Sequence, residues 1–179
     1  AGAELLRQGV VLIWGALEAL CRDVLETTVN AHPELGKQLL DSPDGRKIFQ
    51  IKAIDLDTLA KFDFNISTRL GTLLVQYHDL SKLTAIKGIF DVFCPSNSTL
   101  RTALASKQLW VLNQRRHLIV HNRGVVDQRY IENTGDKISI KHKIILRPKE
   151  LEDYIGLVQE VGADILDAIK SLWNKHSGT

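Results

Sequence analysis

Apolar residues recur at helical spacing through most of this chain. Leu5, Leu6, Val10, Ile13, Leu17, Leu20, Val24 and Leu25 fall mostly three or four apart, which predicts a helix from Glu4 to about Asn30. Val11, Leu12, Trp14, Ala16 and Cys21 widen that stripe to most of the circumference, so this helix is expected at the centre of the fold or in an interface. His32-Pro33 ends it, and Pro33 suits the opening of a short helix to Leu40. Asp41 to Gly45 reads as a turn, followed by a short helix from Arg46 to about Ile54. Asp55 can cap a brief helix to Phe62, and helical spacing returns at Leu70, Leu73, Leu74 and Tyr77. A further helix is expected from about Ser81 to Phe93. Cys94 to Ser98 breaks the pattern, and Asn97 or Ser98 offers a cap to a long helix from about Thr99 to Asn122, closed near Gly124. The period then changes. Ile138, Ile140, His142 and Ile144 alternate with Ser139, Lys141 and Lys143, and the turn residues Asn133 to Asp136 precede them, so a small β-hairpin from Gln128 to Leu146 is expected. Pro148 opens the last helix, striped by Leu151, Ile155, Val158, Val161, Ile165, Ile169 and Leu172.

These elements predict an all-α helical bundle with a small hairpin before the last helix. The 179 residues suit a single domain over 1–179, and 44% hydrophobic with 25% charged residues is enough for a real core. The sequence contains no Met, which suggests a processed chain or one excised from something longer. The longest apolar stretch, Gly9 to Leu17, is far short of the roughly 20 residues that cross a bilayer, and no signal-peptide pattern precedes it. No membrane association is therefore expected. Cys21 and Cys94 do not make a disulfide framework, which suits reduced thiols and a cytoplasmic setting. The formal net charge of +2 argues against a wholesale basic nucleic-acid binder, though not against a local basic site.

Such a site is present. Asn113 to Arg123 packs Arg115, Arg116, Arg123, His117 and His121 into eleven residues, and Lys107 to Arg129 holds five Lys+Arg against the single acid Asp127. A helix of that sequence places Arg116, Val120, Asn113, His117, Trp110 and His121 on one arc of about 140°. Leu104, Val111, Leu118 and Ile119 lie on the other side, with Arg115 and Asn122 falling among them. Concentrated positive charge of this kind suits phosphate, with Arg115, Arg123, Asn113 and Asn122 as further binding candidates.

Arg116-His117-Leu118-Ile119-Val120-His121 places a polar residue after an arginine, then three apolar residues, then a histidine at the end of a long helix. This resembles the signature of the HEPN superfamily (higher eukaryotes and prokaryotes nucleotide-binding), many of whose members are metal-independent endoribonucleases. The resemblance covers residues 110–130 specifically and most of the chain loosely. It implies a HEPN-type bundle that cleaves RNA without a metal or other cofactor, by attack of the ribose 2′-hydroxyl on phosphorus, leaving a 2′,3′-cyclic phosphate. It also implies roles: His121 transfers protons, Arg116 clamps the phosphate and His117 orients or assists. The superfamily's motifs usually meet across a two-fold axis, so a homodimer with a composite site is expected. Toxin, antiviral-defence or RNA-processing roles follow from the same resemblance, as does an antitoxin or fused partner domain. Some HEPN toxins carry a tyrosine two residues after the histidine. This chain has Arg123 there, so regulation through that tyrosine is not implied.

Plainer readings stand beside these. His117 and His121, four apart, can share a zinc ion, but no third ligand is evident nearby in the sequence. An Arg/His-rich helix end also complements the helix dipole without any site. A catalytically inactive dimerisation or nucleotide-binding module remains the alternative to a ribonuclease. His32, His78, His142 and His176 read as ordinary surface or loop histidines, and Trp14 and Trp173 as core or interface.

Overall fold

The broad apolar stripe of the first helix does what its width predicts. In the computed structural model, which describes residues 2–50, 54–78 and 80–176, α1 (Gly2–Ala31) is the central element. It buries Val10, Trp14, Leu17, Cys21, Val24, Leu25 and Val29. The last helix, α10 (Pro148–His176), lies along it in the same direction. A Cβ on Gly9 would collide with the Leu151 side chain, and one on Gly162 would press on Leu20. Further along, Trp173 Nε1 donates to the Thr28 hydroxyl at 3.4 Å. Both chains climb together through these contacts, so the pair is parallel, and the small residues let the helices approach closely.

Seven of the other eight helices among the described residues are short. α2 (Pro33–Asp41) starts on Pro33 as expected. α3 (Pro43–Phe49) begins a turn earlier than expected, because Ser42 Oγ accepts the Gly45 amide and converts the predicted turn into a helix start. The expected continuation toward Ile54 runs through residues 51–53, outside the described residues. Asp55 caps α4 (Leu56–Lys61) through the Thr58 amide. The start of α5 (Leu70–Tyr77) has no local side-chain cap. Asn30 of α1 supplies one across the fold, its Oδ1 accepting the Gly71 and Thr72 amides at 2.8 and 3.2 Å. The approach requires glycine, since a Cβ on Gly71 would sit 2.2 Å from the Glu26 carbonyl oxygen. α6 (Leu83–Phe93) follows.

The long helix expected from Thr99 to Asn122 is two. α7 (Ser98–Leu104) is capped by Asn97, and α8 (Lys107–Asn122) restarts at Ser106, whose Oγ accepts the Leu109 amide. α8 runs antiparallel to α1: Arg116 lies near Glu18, whereas Arg7, earlier in α1, reaches the Ile144 carbonyl beyond the far end of α8.

The expected hairpin is not formed. Gln128–Thr134 is a helix, α9, because Asp127 accepts the Tyr130 amide at 2.8 Å and caps it. The alternating segment pairs instead with the chain just after α8. Val126 N donates to His142 O, Lys141 N to Val126 O and Ile144 N to Gly124 O, but only the single bridge Val125–Lys143 results. Lys141, at φ 69°, turns the segment before a strand can extend. Ile144 and Leu146 are nevertheless buried in the core. The two cysteines are free, with Cys21 buried and its thiol pushed up to about 12, by burial first and then by Glu18. No helix among the described residues is long and apolar enough to cross a membrane.

Candidate functional site

α8 ends where its polar arc is richest. Arg123 takes the left-handed conformation (φ 52°), Gly124 follows at φ 76°, and the Gly124 amide returns to the Leu118 carbonyl. On the helix face leading to that end, Arg116, His117 and His121 line one cleft of about 630 Å³. The cleft's walls come from distant parts of the chain. One is the Ser81–Thr84 segment at the start of α6. It is pinned by the Ser81 carbonyl, which accepts Trp14 Nε1 of α1 at 3.1 Å and Asn113 Nδ2 of α8 at 2.9 Å. The other wall is α9. Trp110 Nε1 donates to the Asn133 carbonyl at 2.8 Å, and Asn133 Nδ2 donates to Gln114 Oε1 at 2.9 Å.

The lining is positively charged. Lys82, Arg116 and Arg129 face it with one carboxylate, Asp127, which is already engaged in capping α9. The sequence shows no acid within the motif, yet the fold brings one to its arginine: Glu18 of α1 lies 3.9 Å from the Arg116 guanidinium. This is a loose pair, at the outer limit of an ion pair. It restrains Arg116 without meeting its hydrogen-bonding capacity.

His117 and His121 sit with ring centroids 4.5 Å apart, tilted by 43°. Burial lowers the His117 pKa from its ordinary value of 6.5, with His121, Arg129 and Arg116 adding to the shift and Asp127 opposing it. That direction favours the neutral imidazole, the form able to accept a proton. The folded state holds its proton less tightly than the unfolded chain does. Its contribution to stability is therefore present above the ordinary pKa and is lost as pH falls through the depressed one. NMR titration of the histidine ring protons should place the His117 midpoint below 6.5. His121→Gln should move it back upward. A midpoint at or above 6.5 in the wild type would contradict this electrostatic picture.

Four of the seven sequence-predicted residues meet at the cleft: Arg116, His117, His121 and Asn113. Asn113 acts there as a buttress, because its side chain is buried and its amide is occupied by Ser81. The other three do not line it. Asn122 Nδ2 closes the helix end onto the Val125 carbonyl. Arg123 is exposed at the left-handed turn. Arg115 points elsewhere: its guanidinium meets Glu150 at 2.8 Å and Asp136 at 3.4 Å, so the expected phosphate role passes to a structural one. Lys82, Tyr130 and Glu18 gave no sequence signal, since tertiary packing alone brings them to α8. Among the described residues, no group of three metal-ligating side chains with donor atoms close together includes His117 or His121.

No family model, curated protein or solved structure matches the chain.

Proposed function

We propose that this protein is a metal-independent endoribonuclease whose active centre is the Arg116–His117–His121 cleft. The observation that carries the reading is that these three side chains, close in sequence, line one cationic cleft with the two imidazoles in contact. The resemblance to HEPN ribonucleases, drawn from the same residues, gives the chemistry. A neutral imidazole takes the proton of a ribose 2′-hydroxyl as its oxygen attacks the adjacent phosphorus. The bond to the 5′-oxygen breaks, and an imidazolium returns a proton to it. The products are a 2′,3′-cyclic phosphate and a 5′-hydroxyl. Arg116 stabilises the charge that builds on the phosphate oxygens. His121 carries proton transfer and His117 assists it.

One helix places its histidines on one side of a phosphate, whereas in-line displacement needs acid and base on opposite sides. A second copy of the chain supplies the other side. Val120, between Arg116 and His121 in sequence, is 46% exposed and gives such a partner an apolar contact beside the site. Incubation with RNA in EDTA should yield cyclic-phosphate ends, and a 2′-deoxy substitution at the cleaved nucleotide should abolish cutting. Cleavage that survives that substitution would refute the mechanism. The Glu18–Arg116 pair favours a second reading, an RNA- or nucleotide-binding module without turnover, because a carboxylate beside the arginine partly offsets the charge it would bring to a transition state. Affinity for RNA with no product at any time would select it.

A further inference from the structure

By sequence, His32 and His176 read as ordinary surface or loop histidines, 144 positions apart. The parallel packing of α1 and α10 brings them together. His32 lies between α1 and α2, Glu34 in the first turn of α2, and His176 at the last turn of α10. Both imidazole Nδ1 atoms face one carboxylate oxygen: His32 Nδ1 is 3.4 Å from Glu34 Oε1, and His176 Nδ1 is 3.5 Å from the same atom. Ligand atoms of the three residues all lie within 4.8 Å of one another.

We propose that His32, Glu34 and His176 form a binding site for a divalent transition metal of the zinc class. Metal–nitrogen and metal–oxygen bonds of about 2.0–2.2 Å in a tetrahedron set its edges at about 3.3–3.5 Å. Two edges of this triangle already have that length. The same separations exceed the 2.7–3.2 Å of a good N–H···O hydrogen bond, so the spacing suits a shared ion better than direct bonding. Two imidazoles and one carboxylate are also the donor set that zinc and its neighbours take in preference to calcium or magnesium. Trp173 packs edge-on against the His32 ring, with centroids 5.6 Å apart, and restrains its orientation. Glu34 is 52% exposed, which leaves water free to complete the coordination. The ion would fasten the end of α10 to the α1–α2 junction. None of its ligands lines the RNA cleft, so the two sites stand or fall separately.

The test is calorimetric titration of the full chain, first stripped with EDTA, with Zn²⁺. One ion should bind per chain. His176→Ala and Glu34→Gln should each weaken binding at least tenfold, whereas a His117→Ala/His121→Ala double variant should bind as the wild type does. Zn²⁺ at about a hundredfold excess over Kd should raise the wild-type Tm by about 5 °C or more. That rise should be absent in His176→Ala, whose own metal-free Tm serves as the reference. Co²⁺ should give the visible bands of a four-coordinate site. Failure to bind Zn²⁺, unchanged affinity in His176→Ala, or loss of binding in the double variant would each overturn the proposal.

Discussion

His121→Ala is expected to lower the rate of RNA cleavage by about 10²–10⁴-fold, the range that a positioned proton-transfer group contributes. The substitution should leave the fold intact, because His121 is exposed and lies at the last turn of α8. Circular dichroism and Tm provide that control. His117 cannot simply take over: it sits one turn earlier on the same helix face, and both rings approach a substrate from the same side. His117→Ala should therefore cost less than His121→Ala. The same variant tests the two-fold arrangement. Arg116→Ala and His121→Ala chains, each strongly impaired alone, should recover partial activity when mixed, because a mixed dimer restores one arginine and one histidine around a phosphate. A protein that cuts as a strict monomer and shows no recovery would remove the second copy from the mechanism while leaving His121 in place. Equal rates for wild type and His121→Ala would remove the mechanism itself.

The long helices were legible because their apolar stripes are long and their period is unambiguous. α1 and α10 needed nothing but spacing. Caps were legible where the donor and acceptor are neighbours in sequence, as at Asp55 and Asn97. Ser106 and Asp127 are caps of the same kind, and each changed the outcome. Ser106 divided one expected helix into two, and Asp127 replaced a hairpin strand by α9. In both cases a short polar side chain three residues before an amide outweighed the surrounding hydrophobic pattern. What sequence could not supply is contact across the fold. Asn30 caps α5 from α1, Ser81 receives both Trp14 and Asn113, and Glu18 comes to lie against Arg116. The helical arc grouped Arg116, His117 and His121 correctly, and it also warned that Arg115 falls on the apolar side.

Arg115 and Arg116 therefore make the sharpest paired test, since neighbouring identical residues are expected to fail in opposite ways. Arg115 is 11% exposed, lies 5.8 Å from the Tyr154 ring centroid and bonds Glu150, Asp136 and the Tyr130 hydroxyl. Arg115→Ala leaves those carboxylates without their cation in a partly buried setting. Loss of one partner of a fully buried pair costs about 3–5 kcal/mol; both acids retain some access to water, so about 2–4 kcal/mol is expected. That corresponds to a fall in Tm of about 5–12 °C in a chain of this size. Arg116 and Glu18 are also mostly buried, but their contact is loose at 3.9 Å and Glu18 keeps Arg22 at 3.7 Å, so truncation of Arg116 should cost about 1–2 kcal/mol, less than that of Arg115. Arg116→Ala should instead lower cleavage by about 10²–10³-fold, as loss of a donor to transition-state charge does. Acid separates the two further. Burial raises the Glu150 pKa, but the Arg115 bond, the Arg147 amide and the charges of both arginines together outweigh it, and the net shift is downward from 4.5. The stability held in that pair is thus fully present above pH 4.5 and is lost as pH falls through the depressed value. Wild type and Arg115→Ala should converge in Tm as the buffer is acidified, while Arg116→Ala tracks the wild type throughout. A wild-type advantage over Arg115→Ala that persists unchanged below that range would mean that packing of the Arg115 side chain on Tyr154, and not its charge, holds α8 to α10.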